Sequence, residues 1–218
     1  MRSLNGKTVL ITGASSGIGA ACAHAFAGLE ARLLLAARRL DRLQKLAAAI
    51  YAQHGVEVHT IQLDVRDQPA VEVAIGGLSG AWAVVDILVN NAGLSRGLDK
   101  LHEGKLADWE EMIDTNIKGL LYVSRAVIPG MVARRSGHVI NIGSIAGHQV
   151  YPSGNVYSAT KHAVNALTQG MRIDLLGTGV RVSTVDPGMV ETEFSQVRFH
   201  GDETRAAKVY QGLTPLTP

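Results

Sequence analysis

The sequence predicts an α/β fold, a doubly wound parallel β-sheet in a single domain with helices on both faces. Its 218 residues, 46% of them hydrophobic and 18% charged, suit one well-filled core better than two. Short apolar runs alternate with longer stretches of helical periodicity, which is the pattern of repeated βαβ units. The runs are apolar at nearly every position, as in parallel strands buried on both faces. We therefore expect three layers, helices on either side of one sheet, over residues 1–218.

Six apolar, β-branched runs predict the strands, and the segments between them predict the helices. In the second helix, Asp41 is placed to cap the first turn and Gly55 to end the last. Right-handed βαβ connections bring the carboxyl ends of the strands to one edge of the sheet, where ligands bind. The predicted strands are 7–12, 31–37, 56–65, 85–93, 137–144 and 180–188, and the predicted helices lie at about 17–28, 41–54, 68–79, 105–134 and 155–176.

Composition and charge exclude several kinds of partner. The formal net charge is +2, from 21 Lys and Arg residues against 19 Asp and Glu residues, so no broad basic field is available for nucleic acid or an anionic membrane.

The single cysteine, Cys22, cannot form an intrachain disulfide, and we find no signal peptide and no apolar run of membrane-spanning length. His148 and His200 lack partners at metal-ligand spacing. We expect a cytoplasmic protein without a metal.

A glycine-rich turn follows the first predicted strand. In "TGASSGIGAA", Gly13, Gly17 and Gly19 stand between the strand and an Ala-rich helix. Glycines there let the backbone approach a pyrophosphate, and the positive end of the helix attracts the anion. A glycine-rich turn alone is weak evidence, since it is also common as a purely structural turn, but its place in the strand and helix order favours a dinucleotide.

The end of the second predicted strand bears on which dinucleotide binds. An acidic residue there would accept hydrogen bonds from the ribose of NAD, whereas basic residues favour the additional phosphate of NADP. Here Ala37 stands where the acid would be, and Arg38 and Arg39 follow. The alternative is an ordinary solvated pair of arginines at a helix start. We predict NADP over NAD, with Asp64 as an acceptor for the adenine amino group.

Three side chains suit the exchange of an alcohol proton. Tyr157 and Lys161 are four residues apart on a predicted helix, so they project from one face. An ammonium beside a phenol favours the phenolate and lowers the pKa of the tyrosine. Ser144, at the end of the strand before this helix, can reach the same space and hydrogen-bond a substrate oxygen. Each of the three taken singly is more typical of an ordinary helix or strand end.

In combination, the motifs resemble those of the short-chain dehydrogenase/reductase family over essentially the whole chain. The resemblance is carried by "TGASSGIG" at 12–19, "NNAG" at 90–93, Asn116 in "DTNIKG", Ser144, "YSATK" at 157–161 and "PG" at 187–188. The stretches "DWEEMIDTNIKGL", "SRAVIPGMV", "GHVINIGS", "GNVYSATK" and "TEFSQVRFHGD" are most similar to the branch of NADP-dependent oxidoreductases of serine and other 3-hydroxy acids. The family implies a Rossmann-type fold.

The resemblance also implies a role for each matching residue. Tyr157 is the expected general acid/base, and Ser144 is expected to orient the substrate oxygen. Lys161 would hold the nicotinamide ribose and lower the pKa of Tyr157, and Asn116 would anchor a water that leads protons to solvent. The residues implied around the cofactor are Gly13, Ser15, Ser16, Gly17, Ile18, Gly19, Arg38, Arg39, Asp64, Val65, Asn90, Ala92, Gly93, Tyr157, Lys161, Pro187, Gly188, Val190 and Thr192.

The chain departs from the family pattern in two places. Glu30 stands where the family usually has a glycine, so we expect Gly28 or a reshaped turn to compensate. Relatives continue for about one more helix and strand, so we expect the final, seventh strand to be missing from this chain. The family and the apolar faces of the helices at 105–134 and 155–176 predict a homo-oligomer, either a dimer or a tetramer.

Substrate choice is expected to rest on the loops near 94–106, 148–155 and 191–201. Arg96 and Arg198 could pair with a substrate carboxylate, or each could be solvated or bound to a neighbouring subunit. The sequence thus predicts an NADP-dependent oxidoreductase that interconverts a secondary alcohol and a carbonyl on serine or another 3-hydroxy acid. The alternatives are a carbonyl or ketoacyl reductase of the same family and a catalytically silent dinucleotide-binding regulatory protein.

Overall fold

The computed structural model describes residues 3–218, and these residues form the predicted doubly wound parallel sheet. The strand order is β3-β2-β1-β4-β5-β6, and every neighbouring pair is parallel. The direction of winding reverses between β1 and β4, which is the position where such sheets bind ligands. Within residues 3–218 the sheet has six strands, with β6 at one edge. The strands are β1 Thr8–Thr12, β2 Arg32–Ala37, β3 Val58–Gln62, β4 Ile87–Asn90, β5 Gly137–Ile142 and β6 Val180–Val185.

The helices lie where the periodicity predicts them, with one long helix interrupted by a wider turn. A π-helical segment, Asp114–Gly119, separates α4 from α5 within the segment predicted as one helix. Among residues 3–218, no helix has both the length and the apolar character needed to cross a bilayer. The helices are α1 Gly17–Ala27, α2 Leu40–His54, α3 Gln68–Gly76, α4 Leu106–Ile113, α5 Leu120–Ala133, α6 Asn155–Asp174, α7 Phe194–Arg198 and α8 Glu203–Lys208, with short 3₁₀ turns at Gly80–Trp82 and Ile145–Gly147.

The sheet buries both of its faces, which explains why its strands are apolar at nearly every position. Val9 and Ile11 of β1 point to one face and pack in a cluster with Leu43 of α2. Leu10 points to the other face and packs in a cluster with Val123 of α5. All five of these side chains are at most 1% exposed. Because successive residues of a strand alternate between faces, a strand covered by helices on both sides needs an unbroken apolar run. The predicted three-layer architecture is confirmed.

The ends of α2 correct one prediction and confirm another. The helix begins at Leu40 with Arg39 at the N-cap, so Asp41 lies in the first turn and is not the cap. Its carboxylate there still favours the positive end of the helix. Gly55 ends the helix in the left-handed conformation, with φ of 67°, as predicted. The clear side-chain cap belongs to α3, where Asp67 accepts a hydrogen bond from the amide of Ala70 at 3.0 Å.

Glu30 shows how the chain manages without a glycine between α1 and β2. Its φ is +68°, in the left-handed region that glycine ordinarily fills. Gly28 has φ of −63°, so the expectation that Gly28 compensates is wrong. Glu30 therefore adopts the strained conformation itself, and its carboxylate accepts a hydrogen bond from the Ser3 hydroxyl. A left-handed residue other than glycine costs roughly 1–2 kcal/mol.

We expect Glu30→Gly to raise the free energy of unfolding by about 0.5–1 kcal/mol, because glycine adopts the left-handed region without a Cβ clash. Loss of the hydrogen bond from Ser3 and the greater freedom of glycine in the unfolded chain offset part of the gain. Denaturant unfolding measures the difference. Glu30→Ala is the matched control, because it removes the carboxylate and keeps the strained backbone. Equal stability of the glycine and alanine variants would contradict this explanation.

Candidate active site

A cleft of about 810 Å³ opens at the carboxyl ends of the central strands, at the point where the winding reverses. Ligand sites in doubly wound sheets lie in this position. Most residues that the sequence assigns to the site line this cleft. They are Gly13, Ser16, Gly17, Ile18, Ala92, Gly93, Ser144, Tyr157, Lys161, Pro187, Gly188, Val190 and Thr192.

The glycine turn after β1 is held tightly against the segment after β4. Gly13 has φ of +64°, and the amide nitrogen Nδ2 of Asn91 donates to the carbonyls of Thr12 at 2.9 Å and Gly13 at 3.2 Å. A Cβ on Gly19 would lie 2.5 Å from the same Nδ2, so no side chain fits there. The first amides of α1 lack helical partners, and Gly17 lines the cleft. This end of the cleft is therefore suited to an anion.

Asn90 and Asn91 have different surroundings in the structure, although the sequence assigned only Asn90 to the cofactor. Asn90 is 4% exposed, and its Nδ2 donates to the side chains of Ser124 and Asn141, each at 2.9 Å. It is not among the residues that line the cleft, so its side chain contacts the fold in this structure and its contact with the cofactor stays a prediction. Asn91, the next residue, lines the cleft and fixes the glycine turn. Successive strand residues face opposite ways, which accounts for a change of role over a single position.

Arg39 joins the glycine turn to the far side of the cleft. Its guanidinium donates to the hydroxyls of Ser15 at 3.1 Å and Ser16 at 2.9 Å, and to the carboxylate of Glu193 at 2.9 Å. Arg42 donates to the other carboxylate oxygen of Glu193 at 2.5 Å. Burial raises the pKa of Glu193, but the hydrogen bonds from Arg42 and Arg39 outweigh it and hold the pKa below its ordinary value.

The remaining predicted cofactor residues lie outside the cleft lining. Arg38 is more exposed, and its nearest acid is Glu111, 3.9 Å away. The carboxylate of Asp64 accepts from the Arg66 guanidinium at 2.6 Å; although burial opposes it, this contact lowers the pKa of Asp64. Val65 packs against Gly119 of the π-helical segment. Sequence reasoning missed Arg42, and the signal available was its place three residues after Arg39 on one helix face.

Tyr157, Lys161 and Ser144 meet in the cleft as predicted. Tyr157 and Lys161 project from the first two turns of α6, and Ser144 follows the end of β5. The ammonium nitrogen Nζ of Lys161 donates to the carbonyl of Ile142 at 2.9 Å and lies 5.9 Å from the centroid of the Tyr157 ring. Ser144 Oγ accepts from the amide of Ala146 at 3.1 Å, which leaves its hydroxyl hydrogen free to donate.

Burial dominates the pKa values of this group. It raises the pKa of Tyr157 to about 12, against the opposing effects of the Ser144 hydroxyl and the Arg198 charge. It also lowers the pKa of Lys161 to about 8, with Asp186 opposing. The expectation that Lys161 lowers the pKa of Tyr157 is wrong for this arrangement, because the ammonium is directed at Ile142 and desolvation of the phenol is the larger effect.

Asn116 ties the loop after β4 to the helix that carries Tyr157. It is 2% exposed and lies in the π-helical segment, a distortion that often marks functional sites. Its Oδ1 accepts from the amide of Leu94, and its Nδ2 donates to the Leu94 carbonyl, each at 2.8 Å. Nδ2 also donates to Thr160 Oγ1 at 3.0 Å, and that hydroxyl donates to the carbonyl of Tyr157 at 2.7 Å.

The segment after Gly188 covers the open side of the cleft. Leu216 pairs with Val190 in an isolated parallel bridge, and Phe194 of α7 meets the edge of the Tyr157 ring at a centroid distance of 5.6 Å. Arg198, at the end of α7, is 8% exposed and also lines the cleft. α7 thus brings both an aromatic ring and a cation to the tyrosine.

Of the two arginines predicted to meet a substrate carboxylate, the structure places only Arg198 in the cleft. Arg96 donates to Glu111 at 2.6 Å and to the carbonyl of Val197, and it lines only a recess of about 10 Å³. Its guanidinium is thus occupied within the fold, which favours the alternative that Arg96 is bound to a protein group.

A glycine turn at the switch point, together with a tyrosine, a lysine and a serine in one cleft, defines the class of dinucleotide-dependent oxidoreductases. A family model described as short chain dehydrogenase matches residues 7–203. The chain belongs to the short chain dehydrogenase family.

Similar proteins are known in bacteria and yeast. The chain is 49% identical over 211 residues to the NADP-dependent 3-hydroxy acid dehydrogenase YdfG of Salmonella typhi, covering 96% of this chain and 84% of that protein. It is 43% identical over 219 residues to the NADP-dependent 3-hydroxy acid dehydrogenase of Schizosaccharomyces pombe, covering 100% and 85%. A solved structure of the closed form of serine dehydrogenase complexed with NADP+ superposes with a TM-score of 0.92 at 47% identity, covering 97% of this chain and 84% of that one.

The buried lysine predicts an unusual dependence of stability on pH. Folding lowers the pKa of Lys161 from 10.5 to about 8, so the folded state opposes protonation, at a cost of about 3 kcal/mol below pH 8. This cost disappears as the pH rises from 8 to 10.5. We therefore expect the stability of the parent relative to Lys161→Met to increase by about 3 kcal/mol across this range. Urea unfolding at each pH measures the difference.

Lys45→Met is the control for this experiment, because it removes a lysine from the exposed face of α2. The difference in free energy of unfolding between the parent and Lys161→Met should increase more with pH than the difference between the parent and Lys45→Met. A stability difference between the parent and Lys161→Met that stays constant from pH 7 to 10.5 would contradict the burial of a charged lysine.

Proposed function

We propose that this protein is an NADP-dependent oxidoreductase that interconverts an alcohol and a carbonyl. The substrate is a 3-hydroxy acid, either one with a secondary alcohol or serine, whose alcohol is primary. The observation that carries the proposal is the meeting of Tyr157, Lys161 and Ser144 in the same cleft as the glycine turn after β1. A hydride carrier bound along this cleft would have its phosphates at the turn and its reactive ring near the tyrosine.

In the proposed reaction, each polar group of the cleft handles one oxygen or one proton. The Ser144 hydroxyl donates to the substrate oxygen and orients it toward Tyr157. In reduction the Tyr157 hydroxyl donates its proton to the carbonyl oxygen. In oxidation Tyr157 must first lose its proton toward solvent, and its phenolate then takes the hydroxyl proton of the substrate. NADP, when bound, accepts or supplies the hydride. The phenol pKa of about 12 keeps Tyr157 protonated at neutral pH, as an acid for reduction requires.

Lys161 and Asn116 support the tyrosine in this proposal. We assign Lys161 to the ribose of the nicotinamide, since its Nζ lies 3.6 Å from the place where a side chain on Gly93 would begin. The same vacant space beside Gly93 lies 3.2 Å from Oδ1 of Asn116. Asn116 thus stands next to the lysine, which supports its proposed role in holding a water that passes protons toward solvent.

The basic residues fit a cofactor with a phosphate on its adenosine ribose. Arg39 and Arg42 converge on one carboxylate, that of Glu193, beside the hydroxyls of Ser15 and Ser16. Two guanidinium groups that hold a carboxylate can hold a phosphate by the same paired hydrogen bonds. The relatives from Salmonella typhi and Schizosaccharomyces pombe are both named as NADP-dependent. We propose Asp64 for the adenine amino group, because the carboxylate is charged and half-exposed.

The alternatives differ in substrate or in activity. A carbonyl or ketoacyl reductase would use the same tyrosine, lysine and serine on a different molecule, so the substrate must decide between them. A catalytically silent dinucleotide-binding protein has no need of the polar geometry around Tyr157, yet Asn116, Ser144 and Lys161 are all present and well positioned. We therefore favour an enzyme, acting as one domain over residues 1–218 and located in the cytoplasm.

We expect Tyr157→Phe to lower kcat by at least about 100-fold, because the variant keeps the ring and loses the proton-transferring hydroxyl. Absorbance at 340 nm, which reports reduced nicotinamide, follows turnover with NADP and a panel of 3-hydroxy acids that includes serine. Fluorescence titration with NADPH should give a Kd within about threefold of the parent, since the phenol hydroxyl is not assigned to the cofactor phosphates.

The same assay on the parent protein tests the cofactor preference and the substrate class. Turnover with NADP should exceed turnover with NAD, and the reverse order would contradict the role given to Arg38, Arg39 and Arg42. Activity confined to neutral ketones would favour the carbonyl reductase. Substantial activity of Tyr157→Phe would contradict the whole assignment.

We also propose that the chain forms a homodimer or homotetramer through α4 and α5. Leu106, Ile113 and Leu121 leave 67%, 39% and 38% of their surface exposed along this helical pair. Light scattering at micromolar concentration should give two or four times 23.1 kDa. Leu121→Glu should lower this mass, whereas Val73→Glu, on the exposed face of α3, should not. A monomeric parent would contradict the proposal.

A further inference from the structure

Arg198 is a buried cation at the reacting end of the cleft without an acidic partner. The residue is 8% exposed, and its Nε is fully buried without a hydrogen-bond acceptor. Among residues 3–218, no Asp or Glu oxygen lies within 4.0 Å of its guanidinium nitrogens. Buried charges in proteins are almost always paired, because removing an ion from water is costly. An unpaired guanidinium facing a cleft therefore points to an anionic ligand.

The surroundings hold the guanidinium close to the reacting atoms. Its central carbon lies 5.8 Å from the centroid of the Tyr157 ring and 5.3 Å from that of Phe194. Its Nη2 donates to the Tyr151 hydroxyl at 3.2 Å. Because that hydroxyl oxygen is the acceptor, its own hydrogen remains free to donate to a ligand. The cleft thus places the Arg198 guanidinium next to the Tyr151 hydroxyl, and both lie near Tyr157, the residue that transfers the proton.

The other charged groups around the cleft are engaged elsewhere. The carboxylate of Glu193 is held by Arg39 and Arg42, and the ammonium of Lys161 donates to the Ile142 carbonyl. The nearby Arg96 is neutralised by Glu111. Among the arginines of this region, Arg198 is therefore the one that a small anion in the cleft can reach without displacing a protein carboxylate, and Lys161 is already held by the Ile142 carbonyl.

We propose that Arg198 and Tyr151 form the subsite for the substrate carboxylate, so that Arg198 determines the preference for hydroxy acids over neutral alcohols. This inference rests on the proposed function, because it takes the proton transfer to occur at Tyr157. The carboxylate accepts hydrogen bonds from the Arg198 guanidinium and from the Tyr151 hydroxyl. These contacts fix the substrate so that its alcohol carbon lies over Tyr157 and Ser144. A neutral alcohol of the same shape leaves the guanidinium without an anion.

The test compares 3-hydroxybutyrate with its methyl ester, which has the same alcohol group and no charge. In the parent, kcat/KM should be higher for the acid. In Arg198→Met the ratio of kcat/KM for the acid to that for the ester should fall by about 100-fold, as expected when one partner of a buried charge pair is removed. Arg198→Lys keeps the positive charge but loses the forked geometry of the guanidinium. Its ratio of kcat/KM for the acid to that for the ester should lie between the ratios of the parent and of Arg198→Met. Arg205→Met is the control, since Arg205 lies over an aromatic ring, Phe199, but is exposed and outside the cleft.

A second measurement does not depend on turnover. Butyrate has the carboxylate but no alcohol, so calorimetric titration reports binding at the subsite alone. The parent should bind it, and Arg198→Met should bind it at least about 10-fold more weakly, while Tyr151→Phe should give a smaller loss. Thermal unfolding of each variant checks that the fold is retained. If Arg198→Met fails to fold, the Arg198→Lys and Tyr151→Phe titrations decide.

The outcomes separate this inference from the proposed function. Equal losses for acid and ester in Arg198→Met, with butyrate binding unchanged, would overturn the subsite and leave the oxidoreductase intact. Butyrate binding that depends on Arg198 in a protein that oxidises neither compound would support the subsite and contradict the proposed activity.

Discussion

Lys161 places an ammonium group, 7% exposed, beneath the cleft, where it donates to the carbonyl of Ile142. A buried ammonium is tolerated only where the backbone offers acceptors and where the helix that carries it lies close to the sheet. Gly147 permits this approach, because a Cβ there would lie 2.8 Å from the Lys161 carbonyl oxygen. Gly93 leaves the space in front of the ammonium open. The hydrogen bond from Lys161 to Ile142 thus joins α6 to the end of β5, close to where Tyr157 and Ser144 meet.

The same burial determines how the tyrosine and lysine share protons. With a phenol pKa of about 12 and an ammonium pKa of about 8, both groups carry their protons at neutral pH. Positive charge near the ring opposes this, and it comes from Arg198, whose guanidinium carbon lies 5.8 Å from the ring centroid, while the Lys161 ammonium is directed at Ile142. A carboxylate on Arg198 would neutralise this charge, so the phenol would hold its proton more firmly while substrate is bound.

The fold could be predicted from the sequence because periodicity and glycine position depend on local physics. Features that depend on the exact placement of a single residue could not be predicted in this way. Asn90 and Asn91 are adjacent, yet their side chains bind different parts of the fold. Asp41 lies two residues after Arg39, the actual N-cap of α2. The side chain of Glu30 disfavours the left-handed backbone, so only the family's usual glycine at this position pointed to the turn, and it did not show which residue would adopt it.

The order of pKa values and the partners of the arginines depend on tertiary contacts, and these were the least predictable part of the site. Spacing alone suggested that the lysine would acidify the tyrosine, but burial reversed the direction. In the sequence, Arg96 and Arg198 are equal candidates for a substrate carboxylate. In the structure, Glu111 binds Arg96. Burial without an acidic partner, within residues 3–218, is what distinguishes Arg198.

The contact between Glu193 and two arginines connects the two ends of the cleft. Glu193 lies just before α7, the helix that carries Phe194 and Arg198, while Arg39 and Arg42 lie at the start of α2. All three charged side chains are 35–41% exposed, so the ion pairs contribute only about 0–1 kcal/mol each. A phosphate carries more charge than a carboxylate and can replace Glu193 on the arginines. Glu193 therefore holds the segment that leads into α7 against the start of α2, so a short stretch of chain joins the two arginines to Arg198.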